Sequence, residues 1–367
     1  MDRRRRRFST PSFFRHPGLN QLGVFYFFMS TNALTLESVQ QAQARLAGGL
    51  RLTPCAYSAP LSELAGISIY CKRDFEQFTG SFKERGARHA LLCLTPAQRA
   101  AGVIAASAGN HALGLARHGS LLGVNVTVVM PVNAPFVKAS RCRSLGARVV
   151  LHGANFEQAS RHAHELAERE TLTFVHPFDD PVVMAGQGTL ALEVLEQLPE
   201  FDAFLVPVGG GGLLAGVATV VKALRPHVEV IAVEPAHAAS FTVSFDAGQP
   251  TRVPVAPTFA DGLAVARVGE NAFRAAAPLV DRTVTVTEDE IAVALLELAE
   301  RENLSVEGAG ATALAACLSG KLPHLRGRRV VIPLCGRNID PDTQKQAFWR
   351  GWTAREMAKE RGELVMA

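Results

Sequence analysis

Three glycine-centred turns constrain this chain more than any bulk property. They are Thr79-Gly80-Ser81-Phe82-Lys83-Glu84-Arg85-Gly86-Ala87, Ser107-Ala108-Gly109-Asn110-His111 and Gly209-Gly210-Gly211-Gly212. Each falls where an apolar run or loop gives way to helical periodicity. Short β-rich runs alternate with such helical stretches along most of the chain, and that alternation predicts parallel sheet covered by helices on both faces. One series reads Val103-Ile104-Ala105, then a helix from Asn110 to Leu122; Val126 to Met130, then Ala134 to Leu145; Arg148 to Leu151, then Asn155 to Glu170. A second reads helix Met184 to Leu198, strand Ala203 to Val208, helix Leu213 to Leu224 and strand Val228 to Val233. It continues with strand Thr283 to Val286, helix Glu288 to Asn303 and strand Arg328 to Leu334. Two series predict two open parallel sheets with a cleft between them. Ligands of such sheets lie beyond the carboxyl ends of the strands, and the three turns, all at strand-to-helix or loop-to-helix junctions, can converge on one cleft. Pro341 to Leu364 reads as a polar helix carrying Trp349 and Trp352.

Length and composition allow this architecture. The chain has 367 residues, 48% of them hydrophobic and 20% charged, enough for two cores. Its net charge of +4 owes much to the run Arg3 to Arg7, and elsewhere no basic face for nucleic acid stands out. Cys55, Cys71, Cys93, Cys142, Cys317 and Cys335 have neither C-x-x-C nor metal-ligand spacing, and most read as reduced thiols of an intracellular protein. No apolar run reaches the roughly 18 residues of a membrane-spanning helix. In the first 28 residues, Arg and Phe abound and Asp2 is the one acid. Three readings stand for them: a mitochondrial-type transit peptide, a mimic of a secretory signal, or upstream sequence before a true start at Met29. Each leaves residues 1–33 as a disordered extension outside the fold.

The turns carry specific chemistry. Lys83 follows three small residues, and Phe82 can lie against a planar ring. A lysine at a helix start is ordinarily solvated, so a reactive amine there needs desolvation or nearby cations, for which Arg73 and Arg85 are candidates. Ser107 to His111 can cap the following helix, and its free amides can equally bind a carboxylate. Gly209 to Gly212 follows an apolar strand and opens a helix, the context of a phosphate cradle. It is no nucleotide fingerprint: a Walker lysine is missing, and Glu234 alone is a poor ribose ligand. A lysine amine, a polar amide turn and a glycine cradle together are what holding pyridoxal phosphate requires.

With Cys335-Gly336-Arg337-Asn338 and Val306-Glu307-Gly308-Ala309-Gly310 added, the chain resembles the fold-type II pyridoxal-phosphate enzymes over about residues 34 to 340. Within them it resembles the threonine/serine dehydratases. That resemblance implies that Lys83 carries the Schiff base and moves the α-proton. It implies that Phe82, Asn110, Gly209, Gly210, Gly211, Gly212, Glu307 and Cys335 contact the cofactor. Asn110 would face its phenolic oxygen, the glycines its phosphate and Cys335 its pyridine nitrogen. Ser107, Ala108, Gly109 and His111 would hold the substrate carboxylate. Arg337 stands where relatives have a second glycine.

The implied products are 2-oxobutanoate from L-threonine and pyruvate from L-serine, each with ammonia. Serine racemase is the nearest alternative, but racemases carry serine at the place of Ala108. Their divalent-ion site is met only weakly, by Glu234 and Ala238, with Ser240 where a second acid is expected. β-Replacement chemistry and an inactive cofactor-binding homologue also stand as alternatives. The resemblance further implies a smaller domain over 102–179 and a larger one over 34–101 and 180–340, with a carboxy-terminal helix and tail after 340. It implies a form without isoleucine feedback through a regulatory domain, assembled as a dimer or tetramer. Location is cytoplasmic, or mitochondrial under the transit-peptide reading.

Overall fold

The computed structural model describes residues 33–361 apart from Pro135; the readings for residues 1–32 lie outside the described residues. Among the described residues, ten strands form two sheets: β1 (Cys55–Tyr57), β2 (Ser68–Lys72), β3 (Val103–Ala106), β4 (Val126–Met130), β5 (Arg148–Leu151), β6 (Thr173–Phe174), β7 (Ala203–Pro207), β8 (Glu229–Pro235), β9 (Arg282–Val286) and β10 (Arg329–Pro333). One sheet has the order β1-β2-β10-β7-β8-β9, the other β5-β4-β3-β6. All pairings are parallel except β1 with β2, so an antiparallel edge strand departs from the all-parallel expectation. β1 has only a short loop and helix between it and β2, and an antiparallel return needs no long crossover.

The central strands are apolar on both faces because helices cover both. Ala203, Leu205, Ile231, Val233, Val330 and Ile332 belong to one core cluster. Their neighbours Phe204, Val206, Val230, Ala232 and Val331 belong to the cluster on the other face. The four-stranded sheet repeats the pattern, with Val103, Ala105, Val126 and Val128 on one side and Ile104, Ala106 and Val129 on the other. Full burial of each such Val, Leu or Ile side chain contributes about 1.5–3 kcal/mol.

Helix boundaries follow local chemistry. The helix expected from Met184 begins earlier, at Pro181, because Asp180 Oδ1 accepts Val182 N at 2.8 Å and proline suits the first turn. Helix Glu288–Glu302 opens on a reciprocal capping box between Thr287 and Glu290. Helix Pro341–Glu360 begins where the polar helix read from sequence begins and ends four residues before its expected Leu364, which lies outside the described residues. Helices Lys83–Leu92 and Pro181–Gln197 cross at two glycines: a Cβ on Gly186 would stand 2.7 Å from Gly86 Cα. That crossing explains the glycine three residues after Lys83.

Candidate active site

The strand ends position the turns. Phe82 N donates to Cys335 O at 3.0 Å, and Ser81 bridges to Gly336, so the lysine turn is joined to the loop leaving β10. Gly80 takes φ +87°, which a side chain would disfavour, and helix Lys83–Leu92 starts at once after Phe82. Lys83 Nζ donates to Pro177 O at 2.8 Å and lies 5.2 Å from the Phe82 ring centroid. Burial pulls the amine down to about 8, while Cys335 and Glu307 push the other way. The two arginines suggested by sequence play no part in this. Arg73 pairs with Glu302 at 3.4 Å, and Arg85 turns away into a fork with fully buried Asp74 and partly buried Glu193.

Gly209 to Gly212 leave β7 and enter helix Gly212–Leu224. The first helical bond is Ala215 N to Gly211 O at 2.9 Å, so earlier amides of the turn are not satisfied within the helix. Gly211 has φ +91°, and a Cβ on Gly210 would fall inside the Phe178 ring. The four residues can therefore only be this close-packed as glycines. They share with Lys83 a cleft of about 850 Å³, which Phe82, Ser107 to His111, Glu307 and Cys335 also line.

Asn110 begins helix Asn110–Leu122 beyond β3. Its Nδ2 donates to Glu307 Oε1 at 2.7 Å, and its Oδ1 accepts from Asn338 Nδ2 at 2.7 Å. Glu307 is buried at the N-cap of helix Gly308–Leu318, and burial with the Asp261 charge pushes its carboxyl up to about 7. Ser107 Oγ accepts from Gly109 N at 3.2 Å, closing the turn. His111 is buried with Nε2 against Val175 O at 3.2 Å; burial and the Lys83 charge pull it down to about 3, so it is a neutral ring at neutral pH. Cys335 is also buried, its Sγ donating to Ala309 O at 3.5 Å, and burial with Glu307 raises its thiol so that it stays protonated.

The cleft thus joins Lys83, Phe82, Asn110, the four glycines, Glu307, Cys335 and the Ser107–His111 turn. Glu234 and Ala238 line it nowhere. The Glu234 carboxylate instead accepts Phe241 N, Thr242 N and Thr242 Oγ1, each at 2.7 Å, at the start of helix Ser240–Ala247. Among the described residues, no group of three or more His, Cys, Asp or Glu side chains gathers to hold a metal. Arg337 is exposed, with its main-chain N–H on Gly80 O at 2.9 Å.

Sequence reasoning missed the loop after β6. His176 Nδ1 accepts Asp179 N at 2.8 Å and Phe178 N at 3.3 Å, shaping the loop that presents Pro177 O to Lys83. The cluster Pro177, Asp179, Asp180 and Pro181 was the available sign of an ordered turn.

These residues fit pyridoxal phosphate. An amine with a lowered pKa, a side-chain-free amide turn and a neutral thiol at the end of a strand share one cleft of sufficient size. Comparison with known proteins agrees. The family model for pyridoxal-phosphate dependent enzymes matches residues 46–336. The chain is 47% identical over 316 residues to the L-threonine ammonia-lyase of Geobacter sulfurreducens, covering 86% of this chain and 78% of that one. Among solved structures it resembles processed threonine deaminase isoform 2 of Solanum lycopersicum, with TM-score 0.81 and 36% identity over 87% of this chain and 95% of that one. It also resembles serine racemase of Dictyostelium discoideum, with TM-score 0.79 and 36% identity over 84% of this chain and 99% of that one.

Proposed function

The chain belongs to the fold-type II pyridoxal-phosphate-dependent enzymes, in the threonine/serine dehydratase family, and from that premise we propose that it is an ammonia-lyase converting L-threonine to 2-oxobutanoate and ammonia, and L-serine to pyruvate and ammonia. The observation that carries this reading is the Lys83 amine, drawn down to about 8 by burial and set in one cleft with the glycine cradle and the Asn110 turn. Bound there, pyridoxal phosphate supplies an aldehyde carbon for an amino group and a sink for electrons released at the α-carbon. The amides of Gly209 to Gly212 would hold its phosphate, Asn110 Nδ2 would donate to its ring oxygen, Cys335 would face its ring nitrogen and Phe82 would pack against its ring. Lys83 Nζ would be the amine that anchors the aldehyde and the base placed to take the α-proton. Free amides of the Ser107–His111 turn orient the substrate carboxylate, with neutral His111 packed behind them.

The racemase reading has less support, because Ala108 brings a methyl group where a second proton carrier is needed. The reading also carries a smaller domain over 102–179 and a larger one over 34–101 and 180–340, supported by how the strands divide between the sheets. A cytoplasmic homo-oligomer, dimer or tetramer, goes with it. No helix among the described residues is long and apolar enough to cross a membrane.

The test is 2-oxo acid formation by cofactor-loaded protein with L-threonine, L-serine and D-serine. Turnover of L-threonine that drops at least about a thousandfold in Lys83→Ala is the expected result. Bound cofactor without turnover of either L-substrate overturns the reading.

A further inference from the structure

Asn338 has no role in the reading so far, yet it makes four hydrogen bonds at the edge of the cleft. Its main-chain N–H donates to Glu307 Oε2 at 3.1 Å. Its Nδ2 donates to Thr79 O at 2.8 Å and to Asn110 Oδ1 at 2.7 Å. Its Oδ1 accepts from Arg141 Nη1 at 2.9 Å. Together with the 2.7 Å bond from Asn110 Nδ2 to Glu307 Oε1, these bonds close a ring of three residues, Asn110, Glu307 and Asn338, which passes through the Asn338 main chain.

A primary amide can turn over and exchange its donor and acceptor ends, so its sense must come from neighbours of fixed character. Asn338 has two. The Thr79 carbonyl can only accept and the Arg141 guanidinium can only donate, so Nδ2 of Asn338 must face Thr79 and Oδ1 must face Arg141. The Nδ2 end then meets Asn110, which must present its oxygen in reply. Asn110 Nδ2 is left on the side of Glu307 and the cleft, with one N–H on the carboxyl and a second for a ligand.

We propose that Asn338 is a positioning residue that fixes the sense of the Asn110 amide, and so sets the hydrogen-bond donor offered to the oxygen on the cofactor ring. This deepens the reading of the cleft as a pyridoxal-phosphate site and rests on it. Asn338 touches no reacting atom; it acts through Asn110. Arg141 lies on helix Phe136–Ser144, in the segment carrying the four-stranded sheet, so that segment also contributes to the sense of the amide.

The test uses the loaded enzyme and reads the pH titration of the bound cofactor's visible absorbance, which does not depend on which amino acid is the substrate. Asn338→Asp keeps the shape but has no side-chain N–H for Thr79 or Asn110. The ring oxygen then loses an oriented donor, its negative form is less favoured, and the titration moves up by about one pH unit. Asn338→Ala shifts it in the same direction. In an Asn110→Ala background the Asn338→Asp shift disappears, because the group through which it acts is gone. Should Asn338→Ala fail to fold, Asn338→Asp and the exposed-side variant Arg141→Gln, with a smaller shift expected, still decide the matter. An unchanged titration in Asn338→Asp, or a shift that persists without Asn110, overturns the proposal. Failure to turn over L-threonine with the shift intact counts against the substrate and leaves the role of Asn338 standing.

Discussion

Lys83 and Arg85 stand two residues apart in one helix, roughly 200° around its axis, and meet opposite kinds of interior. On the Arg85 side every charge has a partner. Arg85 Nε and Nη2 fork onto Asp74 at 2.7 and 2.8 Å, Nη1 and Nη2 onto Glu193 at 2.6 and 2.8 Å, and Lys72 Nζ adds a 2.6 Å bond to Glu193. Burial alone would raise the Asp74 carboxyl, but Arg85 and Lys72 hold it below its ordinary value. On the Lys83 side the charges are only partly met. The amine has a carbonyl for company, Glu307 is pushed up, and His111 Nδ1 has no partner. Desolvation weighs on the charges of both sides; they differ in compensation. The compensated side fixes the helix, and the uncompensated side keeps an amine and a carboxyl near the pH at which protons move.

The largest effect should come from breaking the compensated side. Arg85→Leu leaves Asp74 and Glu193 buried without their shared cation, and should cost about 3–5 kcal/mol in urea unfolding. Arg85→Lys keeps a charge but loses the planar fork, and should fall between. The Asp74 contribution is present above its unfolded value of 3.8 and is lost as pH falls through the lower folded value. Parent and variant should therefore converge only in strong acid. An Arg85→Leu protein as stable as its parent would erase the distinction between the two sides.

The opposite sign is expected at Lys83. A folded value of about 8 against 10.5 means the folded chain disfavours the charged amine. That penalty is complete below about pH 8 and fades as pH rises to 10.5. Lys83→Met should therefore stabilise the cofactor-free protein by about 3 kcal/mol at pH 7, less whatever the Pro177 bond contributed, while abolishing turnover. Cofactor-free unfolding curves at pH 7 and 10.5 measure it, and a variant destabilised at pH 7 would place Lys83 with Arg85 as a structural charge.

How much of this could be read beforehand depended on sequence distance. Strands β3, β4, β5, β7, β8, β9 and β10, and the turns following β3 and β7, are local patterns of apolar runs and glycines. They lie within a residue or two of where the spacing predicts them. The edge strand β1 has three residues and β6 has two, too few to show a period. β2 ends in Lys72, whose burial makes sense only once Glu193 is in place. Closeness in sequence makes Arg85 a candidate helper of Lys83, two residues before it, while its partners lie 11 and 108 residues away. Asn338 escapes a local reading for the same reason, since it joins Thr79, Asn110, Arg141 and Glu307. Turns and periods are written locally, whereas the compensation of a charge is written across the fold.

The finest test of that contrast lies at Glu307. Its carboxyl moves from 4.5 to about 7, first through burial and then through the Asp261 charge, while donors from Asn110 and Asn338 oppose both. A raised acid binds its proton more tightly when folded, so stability falls as pH rises from about 4.5 to 7 and levels off above. Glu307→Gln cannot ionise and should remove that slope. Its amide nitrogen would, however, face either the Asn338 N–H or the Asn110 amide, donor against donor, which cancels part of the gain. That clash is the same at every pH, so the variant should still gain about 3 kcal/mol at pH 7.5 relative to its standing at pH 4.5, read from cofactor-free unfolding across that range. A slope that survives the substitution would mean that Glu307 is compensated like Asp74, and that the cleft is less sharply divided from the clamp behind it than the two faces of the Lys83 helix imply.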